Sequence, residues 1–167
     1  FGGIYFNNLG DKAKITKIRT FGDAVHRLVT NAFYGCTSLN ECSADIKTIA
    51  TSSANMFYQC TALTTVPLLN LSNCTSTRAM FDQCTELTTV PLFDLSKVTN
   101  ASYMFYQCTA LTTVPLLNLS SCTNASNMFS GVTLTTTSYS DFLVNLATLS
   151  LQSGVSFHGG NSKYNPA

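Results

Sequence analysis

The chain has 167 residues, nine basic and eight acidic side chains, a formal net charge of +1, 45% hydrophobic and only 10% charged residues. Ordinary soluble domains carry about 25% charged residues, so this composition excludes both a disordered polyelectrolyte and a basic surface for nucleic acid. The longest apolar runs, such as Val66 to Leu69, fall far short of the roughly 20 residues that span a bilayer, while the length suffices for one domain with a core.

The chain opens at Phe1 without a methionine and closes on Asn165-Pro166-Ala167, which reads as a piece of a longer polypeptide. Residues 11–27 hold Lys12, Lys14, Lys17, Arg19 and Arg27 against Asp11 and Asp23. This concentration of charge predicts a solvated N-terminal cap over residues 1–30 rather than a binding patch.

From there on, self-similarity dominates the chain. Met56 to Cys74 reads MFYQCTALTTVPLLNLSNC and Met104 to Cys122 reads MFYQCTALTTVPLLNLSSC, one difference in 19 positions. Met80 to Val98, MFDQCTELTTVPLFDLSKV, lies between them in the same register, so three units succeed one another at a spacing of 24. Upstream, Ala32, Phe33, Cys36, Leu39 and Cys42 keep the register with decay, and Ile15 and Ile18 precede them by one further unit. Downstream, Met128 and Phe129 keep it, Val132 replaces the cysteine, and Leu134 arrives one residue early. The repeat tract covers residues 15–137, with the best-formed part from residue 31.

Within a unit, Leu63, Val66, Leu68 and Leu71 have the spacing of a short strand with its apolar side turned inward. Thr77, Met80, Phe81, Cys84 and Leu87 recur at three- and four-residue steps, which predicts one to two helical turns with Ser76 or Thr77 as N-cap. No unit can cover its own apolar side, so the expected fold is an α/β repeat solenoid of 24-residue units, short parallel strands on one wall and short helical turns on the other. Pro67, Pro91 and Pro115 stand inside the strand motif, where each removes a ladder donor; the expected strands are therefore very short or turn those positions away from their neighbours.

After the repeats, Ser140-Asp141 precedes Phe142, Leu143, Leu146 and Leu149 at helical spacing, which predicts a capping helix over the last unit. Gly154 and Gly159-Gly160 punctuate a final extended stretch. The expected organisation is an N-terminal cap at 1–30, repeats at 31–137 and a C-terminal cap at 138–167.

The run M-F-x-x-C-x-x-L-x-x-V-x-L-x-x-L, carried by Met56, Phe57, Cys60, Leu63, Val66, Leu68 and Leu71 and their counterparts, resembles the BspA-like (Treponema pallidum type) leucine-rich repeats. These occur in bacterial surface proteins and in some phage proteins. The tail from Tyr139 to Tyr164, with Phe157-His158-Gly159-Gly160-Asn161, resembles the closing segment of such arrays. The resemblance implies a leucine-rich-repeat solenoid and a surface or phage-tail setting.

Little in the chain supports catalysis or cofactor binding. Cys36, Cys60, Cys84 and Cys108 occupy one equivalent position per unit, so they form a column of buried free thiols that run side by side instead of pointing at one another. Cys74, Val98 and Cys122 mark a second small apolar slot, and Cys42 takes a strand valine's place. No C-x-x-C or paired-His spacing is present, and no metal or other cofactor is expected. His26 and His158 fall in opposite caps, and residues 98–140 carry no charged side chain, so no enzyme is expected. Sequons at Asn70, Asn73, Asn100, Asn118 and Asn124 matter only in a eukaryotic host.

The outward positions of the strand motif form rows: Thr65, Thr89, Thr113; Pro67, Pro91, Pro115; and Leu69, Phe93, Leu117, with Thr64, Thr88 and Thr112 at the edge. Such an uncharged ribbon of hydroxyls beside an apolar rail is the candidate ligand-binding face. Threonines that merely suit strands, or a threonine array that orders water, are the competing explanations. The expected function is non-catalytic recognition or adhesion toward a protein or glycan on a cell surface, within a larger bacterial surface protein or phage tail protein. Expected partners are that ligand and flanking domains of the same polypeptide, without nucleic acid or membrane insertion, and the expected location is extracellular, cell surface or virion. The alternative is a structural spacer or decoration within a virion or similar assembly, motivated by the low charge.

Overall fold

A computed structural model describes residues 10–19, 27–28, 30–43, 48–49 and 51–166, the side chains at 27, 28, 48 and 49 excepted. His26 and Asp23 of the expected N-terminal cap lie outside the described residues. In chain order come a 3-10 turn at Lys12–Lys14, β1 (Lys17–Ile18), β2 (Arg27–Leu28), β3 (Glu41–Cys42), β4 (Thr48–Ile49) and α1 (Thr136–Thr148). β1 pairs with β3 and β2 with β4, both in parallel.

This corrects the expected fold class. An α/β leucine-rich-repeat solenoid with a strand wall and a helical wall is not what the structure contains: among the described residues there is one α-helix, outside the repeats, and every strand has two residues. Both expected walls are replaced by turns and irregular extended chain, for identifiable reasons.

The Met-Phe half is not helical because its amide hydrogens go elsewhere. Phe57 and Gln59 donate outward, to the carbonyls of Met80 and Asp82 in the next unit, while Met56, Tyr58 and Cys60 donate three residues back within their own unit. The same alternation recurs at Phe81, Gln83 and Phe105, Gln107. Each half-unit is thus a run of tight turns, and the third turn residue takes a positive φ: Asn31 (62°), Asn55 (53°), Ala79 (50°), Tyr103 (59°) and Asn127 (54°) at one repeat position, Gly35 (73°), Gln59 (59°), Gln83 (61°), Gln107 (56°) and Gly131 (82°) four residues on. Positive φ at that place marks a type II turn and cannot be continued as a right-handed helix.

The Leu-Val half is not a strand because Pro67, Pro91 and Pro115 have no N–H to donate. Of the segment 64–70 against 88–94, a backbone bond joins only Thr88 N–H to the Thr64 carbonyl, 3.2 Å. Proline also sets φ near −65°, the polyproline value, whose period is three residues rather than two. Val66 and Leu69 therefore face inward together, at 8% and 1% exposed, and Leu68 is turned out at 67%.

The 24-residue register itself is present in β1–β3 and along the bridges that follow, whereas β2–β4 pairs Arg27 with Thr48 at an offset of 21. Lys17 pairs with Glu41 and Ile18 with Cys42, and bridges link Glu41 to Thr65, Ser52 to Ser76, Ser76 to Asn100 and Asn100 to Asn124. Threonine hydroxyls add columns of their own: Thr61, Thr85 and Thr109 donate to the carbonyls of Thr37, Thr61 and Thr85, and Thr75, Thr99 and Thr123 to those of Thr51, Thr75 and Thr99, at 3.1–3.4 Å. Asn55 Nδ2 reaches Asn31 Oδ1 at 2.9 Å in the same way.

Between these surfaces runs the core. The rings of Phe33, Phe57, Phe81, Phe105 and Phe129 stack at successive centroid distances of 5.3, 5.6, 5.7 and 5.5 Å, and Met56, Met80, Met104 and Met128 are fully buried beside them. Each such side chain contributes roughly 1.5–3 kcal/mol by leaving water, and the rings of the neighbouring units stack against each phenylalanine. Cys36, Cys60, Cys84 and Cys108 are buried, and no disulfide joins any of the seven cysteines. Cys60, Cys84 and Cys108 donate their S–H to the carbonyls of Phe33, Phe57 and Phe81 in the preceding unit, at 3.2, 3.0 and 3.0 Å. Burial holds these thiols well above their ordinary range.

The two ends are finished differently. Near the N-terminus, Lys14 pairs with Asp11 at 2.9 Å, and Lys17 and Arg19 both reach Glu41 at 3.1 and 3.5 Å, so the basic residues there serve largely local ion pairs. At the C-terminal end, α1 begins at Thr136, ahead of the expected Ser140-Asp141, because the Thr135 hydroxyl accepts from Ser138 N–H. Phe142 of α1 meets Phe129 edge-on at 5.4 Å and 82°, closing the aromatic column. Beyond it the tail returns: Ala125 bridges to Phe157, Phe129 N–H donates to the His158 carbonyl and Asn161 N–H to the Val132 carbonyl. Gly160, at φ +69°, permits this approach, since a Cβ there would collide with the carbonyls of Phe129 and Val132.

Candidate functional site

The candidate face lies on the segments 64–70, 88–94 and 112–118, where each unit contributes the same short set of side chains. Thr65, Thr89 and Thr113 are exposed and Pro67, Pro91 and Pro115 are half-buried. Leu69, Phe93 and Leu117 are not part of the face: they are 1%, 1% and 0% exposed and belong to the core, Phe93 lying 6.0 Å from the Phe81 ring. The apolar rail stands one residue earlier in the chain than expected. It consists of Leu68, Leu92 and Leu116, exposed at 67%, 59% and 52%, for the threefold turn that proline imposes.

Thr64 and Thr88 sit at the edge of this face, but their hydroxyls are engaged, donating to the carbonyls of Asn40 and Thr64 at 3.2 and 3.4 Å. Thr112 accepts Thr135 N–H through its carbonyl. The threonines therefore divide by role, ladder members at 61, 64, 85, 88 and 109 and outward hydroxyls at 65, 89 and 113. Sequence spacing alone does not separate adjacent threonines, whereas the burial of their neighbours does.

One unit succeeds the next at the 5.3–5.7 Å of the phenylalanine column, so the exposed leucines form a ridge rather than isolated points. At its C-terminal end the ridge meets α1 in an open groove of about 650 Å³, with Thr113, Pro115 and Leu116 on one side and Asp141, Val144 and Asn145 on the other. Val144 is 66% exposed and extends the apolar surface onto the helix. Lone leucines are common on surfaces, whereas a row of three at equivalent positions concentrates apolar surface on one face.

The chemistry available there is hydrogen bonding and apolar contact. Asp141 is the one charged residue that lines the groove. Among the described residues no group of three or more His, Cys, Asp or Glu side chains could hold a metal ion, and no helix is long and apolar enough to cross a membrane. His158 is occupied locally, its Nδ1 accepting from Gly160 N–H at 3.0 Å.

Residues 26–142, more than two thirds of the chain, match the family described as Mycoplasma protein of unknown function, DUF285. The chain belongs to the DUF285 family. In this DUF285 chain the matched span takes in all three Thr-Pro-Leu rows and ends at Phe142, the ring that closes the aromatic column. Membership is compatible with a surface protein built of repeats. No curated protein and no solved structure matches the chain.

Proposed function

We propose that this chain is a non-catalytic recognition module that binds a protein or glycan on a cell surface, as part of a larger bacterial surface or phage tail protein. The observation that carries this reading is the ridge of Leu68, Leu92 and Leu116, 52–67% exposed and flanked by exposed threonines. A face that offers hydroxyls beside apolar contact, with the carboxylates of Asp94 and Asp141 at its margins, suits an amphipathic ligand and gives it several equivalent footholds in a row. The resemblance of the Met-Phe-Cys spacing to BspA-like repeats, and the family membership, support a surface setting, on a cell or on a virion.

The test is binding of the purified chain to bacterial cells and to a glycan array, beside a variant carrying Leu68→Ser, Leu92→Ser and Leu116→Ser. These leucines are outside the core, so the variant keeps its circular dichroism and its unfolding midpoint while binding falls at least tenfold. Equal binding by the folded variant contradicts the assignment.

The same ridge favours a second reading, a spacer or decoration packed into an assembly, because residues 98–140 carry no charge and Val144 continues the exposed apolar surface. That reading predicts self-association of the isolated chain through the ridge, abolished by the same three serines. A monomer by sedimentation, with binding to cells, counts against it.

A further inference from the structure

Tyr34, Tyr58, Asp82, Tyr106 and Ser130 occupy one equivalent position in successive units. Tyr34 and Tyr58 stack on each other at 4.7 Å between centroids. At the next place the tyrosine is replaced by a carboxylate, which is 7% exposed, the one charged side chain buried among the described residues. Ionised carboxylates are costly to bury unless paired and hydrogen-bonded, and Asp82 is poorly provided for. Its Oδ1 accepts from Gln83 Nε2 at 3.3 Å, a donor shared with Tyr58 Oη at 3.1 Å. Arg78, four residues earlier, lies instead over the Tyr103 ring at 5.9 Å.

We propose that Asp82 is an acid-responsive joint between units, at which the neutral carboxyl is the form that fits the fold and ionisation loosens residues 77–84 from their neighbours. The groups facing it are Arg78 of its own unit, Tyr58 of the preceding unit and the thiols of Cys84 and Cys108, with Tyr106 at the equivalent place in the following unit. Arg78 is the sole cation among them. Burial pushes the Asp82 carboxyl up to about 6, against the downward pull of the Gln83 amide and Arg78. The folded value stands above the unfolded one, so the native state binds the proton more tightly. The stabilisation is complete below about pH 4, is lost as pH rises to about 6, and stays lost above that.

The experiment is urea unfolding of the full chain and of Asp82→Asn from pH 4 to pH 7.5. The ratio of their folding equilibrium constants is expected to move in favour of the amide by on the order of 10- to 100-fold across that range. Asp82→Tyr, which restores the residue of the adjoining units, moves in the same direction. A ratio that stays constant with pH overturns the proposal. Where neither variant folds, carbon-13 titration of the aspartates in the unsubstituted chain decides: a buried carboxyl titrating near 6 supports the joint, and all aspartates titrating at or below about 4 overturns it.

Discussion

At the scale of the residue, the fold shows what a period of 24 demands of each position and what happens when one position departs from it. Ser53, Thr77, Ala101 and Ala125 are equivalent and all buried. Ser53 has partners, donating to the Ser76 carbonyl and accepting from Cys74 Sγ at 3.4 and 3.5 Å. One unit on, Val98 stands where Cys74 did and offers nothing polar, and Thr77 Oγ1 is buried without a hydrogen bond. An orphaned buried hydroxyl costs about 1–3 kcal/mol, whereas valine fills the same shape. Thr77→Val is therefore expected to stabilise the chain by about 1 kcal/mol in urea unfolding, unusual for a substitution in a packed core; a loss of stability means that the hydroxyl is satisfied after all. The inward Met, Phe, Cys and Leu positions were legible in the sequence because each recurs with a spacing only burial explains. Leu68 and Leu69 were not, since both are apolar in every complete unit and the choice between them depends on the backbone after proline.

At the scale of the element, sequence and structure part most clearly over the Met-Phe half. Ser53, Met56, Phe57, Cys60 and Leu63 are all buried, a spacing that a helix and a chain of tight turns satisfy alike. The discriminating signal was present, in asparagine or glycine at Asn31, Asn55, Asn127, Gly35 and Gly131, residues that tolerate positive φ. It was masked by Ala79, Gln83 and Tyr103, which adopt the same conformation under the constraint of their neighbours. The capping helix was legible from Phe142 and Leu146, both buried, but its polar role was not. Ser138 and Asn145 of the helix and Gln152 beyond its end recur every seven residues and bond the edge of the last complete unit. Ser138 Oγ accepts from Val114 N–H at 3.0 Å, Asn145 Nδ2 donates to the Leu117 carbonyl at 3.0 Å, and Gln152 Nε2 donates to the Ser120 carbonyl at 3.0 Å. Ser138→Ala and Asn145→Ala should each destabilise by about 1 kcal/mol and combine additively, being two helical turns apart. Faster hydrogen exchange at the Val114 amide in Ser138→Ala checks the mechanism, and unchanged exchange there removes it.

At the scale of the whole molecule, one organisation accounts for both stability and surface. Cohesion along the units comes from the aromatic, methionine and thiol columns inside and from amide and threonine ladders around them, none of which uses charge. The face bearing Thr65, Thr89 and Thr113 is largely spared from that work, because proline leaves it few backbone bonds and turns the leucines out. Its position on three successive units makes it extended, repetitive and low in charge, which is the basis for reading it as a recognition surface. The most direct measurement is affinity for whichever cell or glycan the chain binds, compared between the parent, the variant Thr65→Glu, Thr89→Glu, Thr113→Glu, and a control with Lys97→Glu and Lys163→Glu, whose exposed side chains lie outside the segments of the face. Both variants gain negative charge, but only the first places it on the face. The account predicts a loss of at least tenfold in the threonine variant and near-parent affinity in the control, with all three folded; equal affinity in parent and threonine variant, or equal loss in both variants, would contradict it.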